Sequence, residues 1–97
     1  MNAPAFVAPL RIEAAHPALP GHFPGRPVAP GVVLLQRVAT ALRQWRDRRM
    51  TRVDAKFLAP LPPERDARIE LEGEGARVRF TIRDDDTVFA RGTLEAA

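Results

Sequence analysis

Residues 21–46 read Gly21-His22-Phe23-Pro24-Gly25-Arg26-Pro27-Val28-Ala29-Pro30-Gly31-Val32-Val33-Leu34-Leu35-Gln36-Arg37-Val38-Ala39-Thr40-Ala41-Leu42-Arg43-Gln44-Trp45-Arg46. The stretch changes character at Gly31. Before it, proline recurs every third residue at Pro24, Pro27 and Pro30, which fixes φ and removes backbone donors. After it, no proline or glycine occurs through Arg46, and Leu35, Val38, Leu42 and Trp45 recur at helical spacing. This predicts one helix from Gly31 to Trp45 or Arg46. Its first turn, Val32-Val33-Leu34-Leu35, is apolar all round, which predicts a buried start. Arg43 and Arg46, followed by Arg48 and Arg49, suit the negative end of the helix dipole.

Upstream, Phe6 to Ala14 reads as a strand interrupted by Pro9. The span His16 to Pro30 holds five prolines and two glycines in fifteen residues and reads as loop. Downstream, the period falls to two. Val53, Ala55 and Phe57 share one face; Ala67, Ile69 and Leu71 another. Val78, Phe80 and Ile82 follow, then Val88, Ala90 and Leu94 across Gly92. Gly73-Glu74-Gly75 and Asp84-Asp85-Asp86 mark short turns, so the last three strands are expected to form an antiparallel meander. The order predicts an α+β fold, a five-stranded antiparallel sheet around one helix, with residues 1–97 as a single domain.

At 97 residues the chain buries only about 60–65 % of its unfolded surface, so an oligomer is expected. The chain is 45 % hydrophobic and 28 % charged, which excludes a disordered chain. The absence of cysteine excludes disulfides and thiolate catalysis. No apolar run suits a signal peptide or a membrane span, so a soluble cytoplasmic protein is expected. The net charge of +3 comes almost wholly from arginine, Lys56 being the sole lysine, and favours acidic partners. The cluster Arg43, Arg46, Arg48, Arg49 and Arg52 has one aromatic within it, Trp45, which reads as a core anchor and not a stacking platform, and this sets nucleic acid aside. His16 and His22 lack a third ligand at metal spacing, so no metal site is expected. Asp84-Asp85-Asp86 lacks the further spaced acids of a calcium loop and reads as a hairpin turn.

The proline-rich loop brings His22 to the start of the helix, where N–H groups lack partners and the dipole is positive. An imidazole beside free amide donors can remove a proton α to a carbonyl while the amides stabilise the developing oxyanion. On these grounds alone a lone histidine in a proline-rich loop more often serves structure.

The run His22-Phe23-Pro24-Gly25-x-Pro27-x-x-Pro30-Gly31-Val32 matches eight specified positions within eleven residues. It resembles the signature loop of the 3-hydroxyacyl-acyl-carrier-protein dehydratases, most closely their short single-domain branch, which includes enzymes of aryl-polyene-type pathways. Phe57-Leu58-Ala59-Pro60 resembles the family's strand ending near the acyl tunnel. The resemblance implies a hotdog fold and dehydration of a 3-hydroxyacyl thioester to the trans-2-enoyl thioester. It implies His22 as base and Gly31 as the amide donor to the thioester carbonyl. It also implies an acyl site lined by Phe23, Pro30, Val32, Val33 and Phe57. The substrate would ride on the phosphopantetheine of acyl carrier protein, with no other cofactor, and Arg43, Arg46 and Arg49 would dock that carrier. A homodimer or a heterodimer with another hotdog subunit would complete each site.

The family's helix carboxylate, contributed by the partner subunit, falls on Gln36. Glutamine has no titratable proton. Gln36 lies roughly 140° from the centre of the Leu35/Val38/Leu42/Trp45 stripe at about 100° per residue. It shares its side with Val32, Thr40 and Arg43. Three readings stand: a dehydratase in which Gln36 orients the leaving hydroxyl, a weakened subunit that binds acyl chains or pairs with a competent homologue, and a hotdog thioesterase.

Overall fold

The computed structural model describes residues 4–16 and 29–97. Its elements are β1 (Phe6–Leu10), α1 (Gly31–Arg46), β2 (Met50–Phe57), β3 (Ala67–Glu72), β4 (Arg77–Arg83) and β5 (Val88–Ala96). All strand pairs are antiparallel, in the order β1-β3-β4-β5-β2. The meander β3–β4–β5 is the one expected. β1 and β2 add to its two edges, and α1 contacts β1, β2 and β3. This is the hotdog arrangement of a sheet around one helix.

The core forms where the two periodicities meet. Ile69 and Leu71 of β3, Val78, Phe80 and Ile82 of β4, and Ala90 and Leu94 of β5 point inward. They join Val33, Leu34, Val38, Ala41 and Leu42 of α1. The buried face of α1 is thus centred nearer Leu34 and Ala41 than the predicted Leu35/Trp45 stripe, with Leu35 and Trp45 only partly buried. The predicted fully buried first turn is corrected as well, because Val32 is 63 % exposed. A curved sheet covers one side of a helix start, not all of it.

Three further departures have local causes. β1 ends at Leu10, short of the expected Ala14, although Ile12 beyond it is fully buried. Pro9 sits within β1 opposite Arg68, which an edge strand tolerates because its outer side needs no donor. In β5 the strict alternation breaks: the register shifts between Ile82 and Arg83, and Phe89 and Ala90 are both buried. A bulge lets two consecutive residues face the core.

The turns follow side-chain chemistry. Asp84 accepts the N–H groups of Asp86 at 2.9 Å and Thr87 at 2.8 Å, closing the β4–β5 connection as a hairpin turn. Those amides, with Arg65, hold its carboxyl below the usual carboxylate range. The C-terminus of α1 closes on Asp47 in the left-handed region, φ 51°, whose N–H donates to the Arg43 carbonyl. Phe6 stacks on Trp45, ring centroids 6.2 Å apart, tying β1 to the end of α1.

Candidate active site

The start of α1 leaves backbone donors without intrahelical partners. Pro30 caps it in an extended conformation, φ −62° and ψ 148°, and among the described residues no side chain caps its amides. The Pro30 carbonyl accepts from Val33 at 3.0 Å and Leu34 at 3.3 Å. Among the described residues, the N–H groups of Gly31 and Val32 have no acceptor. No acidic residue lies in the first turn, so the positive end of the dipole is unopposed there.

Phe57, at the end of β2, lies against this turn. A Cβ on Gly31 would fall 2.7 Å from the Phe57 Cζ, so glycine is what lets the ring approach the amides. Phe57 is 50 % exposed and Leu58 46 % exposed. Val32, next to Gly31 in the same turn, is exposed as well. Val33, expected beside them, is only 3 % exposed and belongs to the core. Gly31→Ala is expected to displace the Phe57 ring while changing stability by less than about 1 kcal/mol, because the end of a half-exposed side chain can swing aside. A thermal melt and a crystal structure of the variant would check both.

Gln36 is exposed. Its carbonyl accepts the Thr40 hydroxyl at 3.1 Å, and Val32 and Thr40 are likewise exposed, as the helical wheel predicted. It stands about 7.5 Å along the axis and about 140° around from Gly31. Gln36 and Gly31 of one helix therefore do not converge.

His22 and Phe23 lie outside the described residues. The chain on either side of that stretch is described, and both ends are held by the β2–β3 connection. The Ala29 N–H donates to the Leu61 carbonyl at 3.0 Å. On the other side, Glu64 donates its N–H to the Ile12 carbonyl at 2.7 Å and accepts the Ala14 N–H at 3.0 Å. Arg11 donates to Glu64 at 2.7 Å and to Asp66 at 2.9 Å. The Ala14 amide and then Arg11 hold the Glu64 carboxyl below the usual carboxylate range. Nothing in the sequence marked Glu64: its backbone is left-handed, φ 62°, where glycine or asparagine is the usual signal.

Of the three arginines expected to dock a carrier, Arg43 and Arg49 are exposed. Arg46 is engaged within the chain: it donates to the carbonyls of Gly73 and Gly75 and stacks 3.8 Å from the Trp45 ring centroid. It fastens the end of α1 to the β3–β4 turn. A hollow of about 450 Å³ lies elsewhere, on the outer face of the sheet around Asp54, Lys56, Arg91 and Gly92. Among the described residues there is no cluster of three metal-ligating side chains, and no helix is long and apolar enough to cross a membrane.

Residues 2–93 match the family model described as ApeI dehydratase, ApeI-like. The chain belongs to the ApeI-like dehydratase family. Its curated relatives include the 3-hydroxyacyl-[acyl-carrier-protein] dehydratase FabZ of two strains of Thermus thermophilus, each 33 % identical over 91 residues. The match covers 94 % of this chain and 57 % of each relative, so this family member spans little more than half their length. Among solved structures it is similar to the dehydratase heterocomplex ApeI:P from Xenorhabdus doucetiae, with a TM-score of 0.77 and 21 % identity. That match covers 94 % of this chain and 85 % of the other and supports the hotdog fold.

Proposed function

We propose that this chain catalyses the reversible elimination of water from 3-hydroxyacyl thioesters on acyl carrier protein, in fatty-acid or polyene-type biosynthesis in the cytoplasm. The observation that carries this reading is the pair of amides at Gly31 and Val32, without an acceptor among the described residues, beside the Phe57 ring and at the end of a histidine-bearing dehydratase signature. The His22 imidazole takes the α-proton, and the thioester oxygen gains charge against the Gly31 N–H. The Cα–Cβ double bond forms as the C3–O bond breaks, and the hydroxyl leaves as water with the proton returned from His22. Phe23, Pro30, Val32 and Phe57 line the acyl site. The carrier's phosphopantetheine arm brings the substrate, and Arg43 and Arg49 meet its acidic surface.

Gln36 cannot reach the Gly31 amide of its own helix, which supports a site completed across a dimer. There its amide orients the leaving hydroxyl. The competing reading, a weakened subunit paired with an active homologue, draws on the missing carboxylate and on the heterocomplex nature of the similar ApeI:P structure. Gln36→Glu separates the two. An increase in turnover of about 10²-fold or more would mark the natural site as lacking its acid; an unchanged or lower rate supports glutamine as a working part. The primary test is to incubate purified protein with a 3-hydroxyacyl thioester on carrier protein and follow enoyl absorbance. No enoyl product under any carrier would refute dehydration by this chain alone.

A further inference from the structure

We infer that Arg65 is a positioning residue for the reaction, pinning the segment that holds the Phe57 ring against Gly31; this rests on the function proposed above. Both sides of that contact hang from one stretch of chain, the connection from β2 to β3. Phe57 ends β2, and the two amides that follow it, of Leu58 and Ala59, donate to a single acceptor, the Phe89 carbonyl, at 2.8 Å and 3.2 Å. Farther along the same connection, the Leu61 carbonyl accepts the Ala29 N–H at 3.0 Å, just before Gly31. The spacing between ring and amide is therefore set by how Leu58 to Leu61 is seated on Phe89. Arg65 fixes that seat. Its guanidinium donates to the Asp84 carboxylate at 2.8 Å and 2.9 Å and stands over the Phe89 ring, 5.8 Å from the centroid. Asp84 is itself held by the Asp86 and Thr87 amides, so the pair joins the connection to a closed turn. Arg65 thus reaches Gly31 through Phe89, Leu58 and Phe57, each in contact with or bonded to the next. An ion pair whose arginine is 45 % exposed contributes little to stability. A displacement of about 1 Å at a reacting centre can cost about 10²-fold in rate. The effect of Arg65 therefore falls on the reaction more than on the fold.

Arg65→Met keeps the stem and removes the charge. It should lower Tm by less than about 8 °C. The Gly31 amide signal in NMR spectra should shift, because the aromatic ring beside that amide moves, and kcat in the enoyl assay should fall about tenfold. Asp84→Asn keeps a side-chain oxygen for the turn amides and should reproduce the loss of kcat. The double variant should be no slower than the slower single one, since both changes remove the same contact. Arg65→Lys keeps a cation opposite Asp84 and should recover most of kcat. Arg68→Met, which removes ion pairs to Glu70 and Asp85, should lower Tm comparably while leaving kcat and the Gly31 signal near those of the wild type. An Arg65→Met chain with wild-type kcat or an unmoved Gly31 signal overturns the inference. So does a multiplied loss in the double variant, or an equal loss of kcat in Arg68→Met. If the wild-type chain itself gives no enoyl product, the proposed function fails; the Gly31 signal then decides alone, and a signal unmoved by Arg65→Met overturns the role of Arg65.

Discussion

Gly92→Ala is expected to destabilise the fold by about 3 kcal/mol, a fall of roughly 12–24 °C in Tm for a chain of this size. Gly92 sits in the middle of β5, paired with Ala55 of β2 on one side and Phe80 of β4 on the other. A methyl group there would overlap the Asp54 carbonyl oxygen and stand 3.0 Å from the Ala55 Cα. Both are backbone atoms of a paired strand, so no side chain can turn aside to make room. β2 would have to move away from β5, the strand to which it is bonded. Gly75 provides the contrast. Its φ is +67° and a Cβ there would meet nothing within 4 Å, so Gly75→Ala should cost only the left-handed strain, about 1 kcal/mol. Chemical denaturation of both variants checks the ranking. Equal losses would mean that conformation, not the crowding of β2, decides at Gly92.

The largest effect on chemistry is expected from His22→Ala, which should slow enoyl formation by about 10²–10⁴-fold. The α-proton of a thioester needs an acceptor, and the signature places one imidazole in the run that ends at the Gly31 amide. The amides can stabilise charge on the carbonyl oxygen but cannot accept a proton. Melting should be little changed, and His16→Ala should leave the rate near that of the wild type. A His22→Ala chain with full activity would remove the imidazole from the reaction and leave the proton acceptor to be sought elsewhere.

Several features of the molecule were legible from residues alone, and the reasons differ. The bounds of α1 were readable because prolines stop at Pro30 and arginines gather at Arg46. The turn at Asp84 was readable because aspartate bonds its own backbone. The neighbours of β1 and β2 were not readable, because strand periodicity identifies faces and says nothing of which edge a distant strand joins. Phe89 escaped because a bulge is a property of the pairing and not of the strand. Arg46 was grouped with Arg43 and Arg49 by charge, yet its partners are carbonyls in a turn 27 and 29 residues away. Glu64 escaped for the same reason: its three contacts lie about fifty residues upstream, at Arg11 to Ala14.

The strand order has a consequence during synthesis. β3 can join β1, and β4 can join β3, as each is made, because its neighbour is already translated. β2 cannot: its neighbour in the sheet is β5, the final strand. Throughout translation of β3 and β4, the helix can settle on β1 and β3, but β2 must wait with its backbone unpaired, a condition that invites aggregation. A nascent chain arrested before β5 should therefore be held by chaperones, and release of that last strand should trigger collapse in one cooperative step.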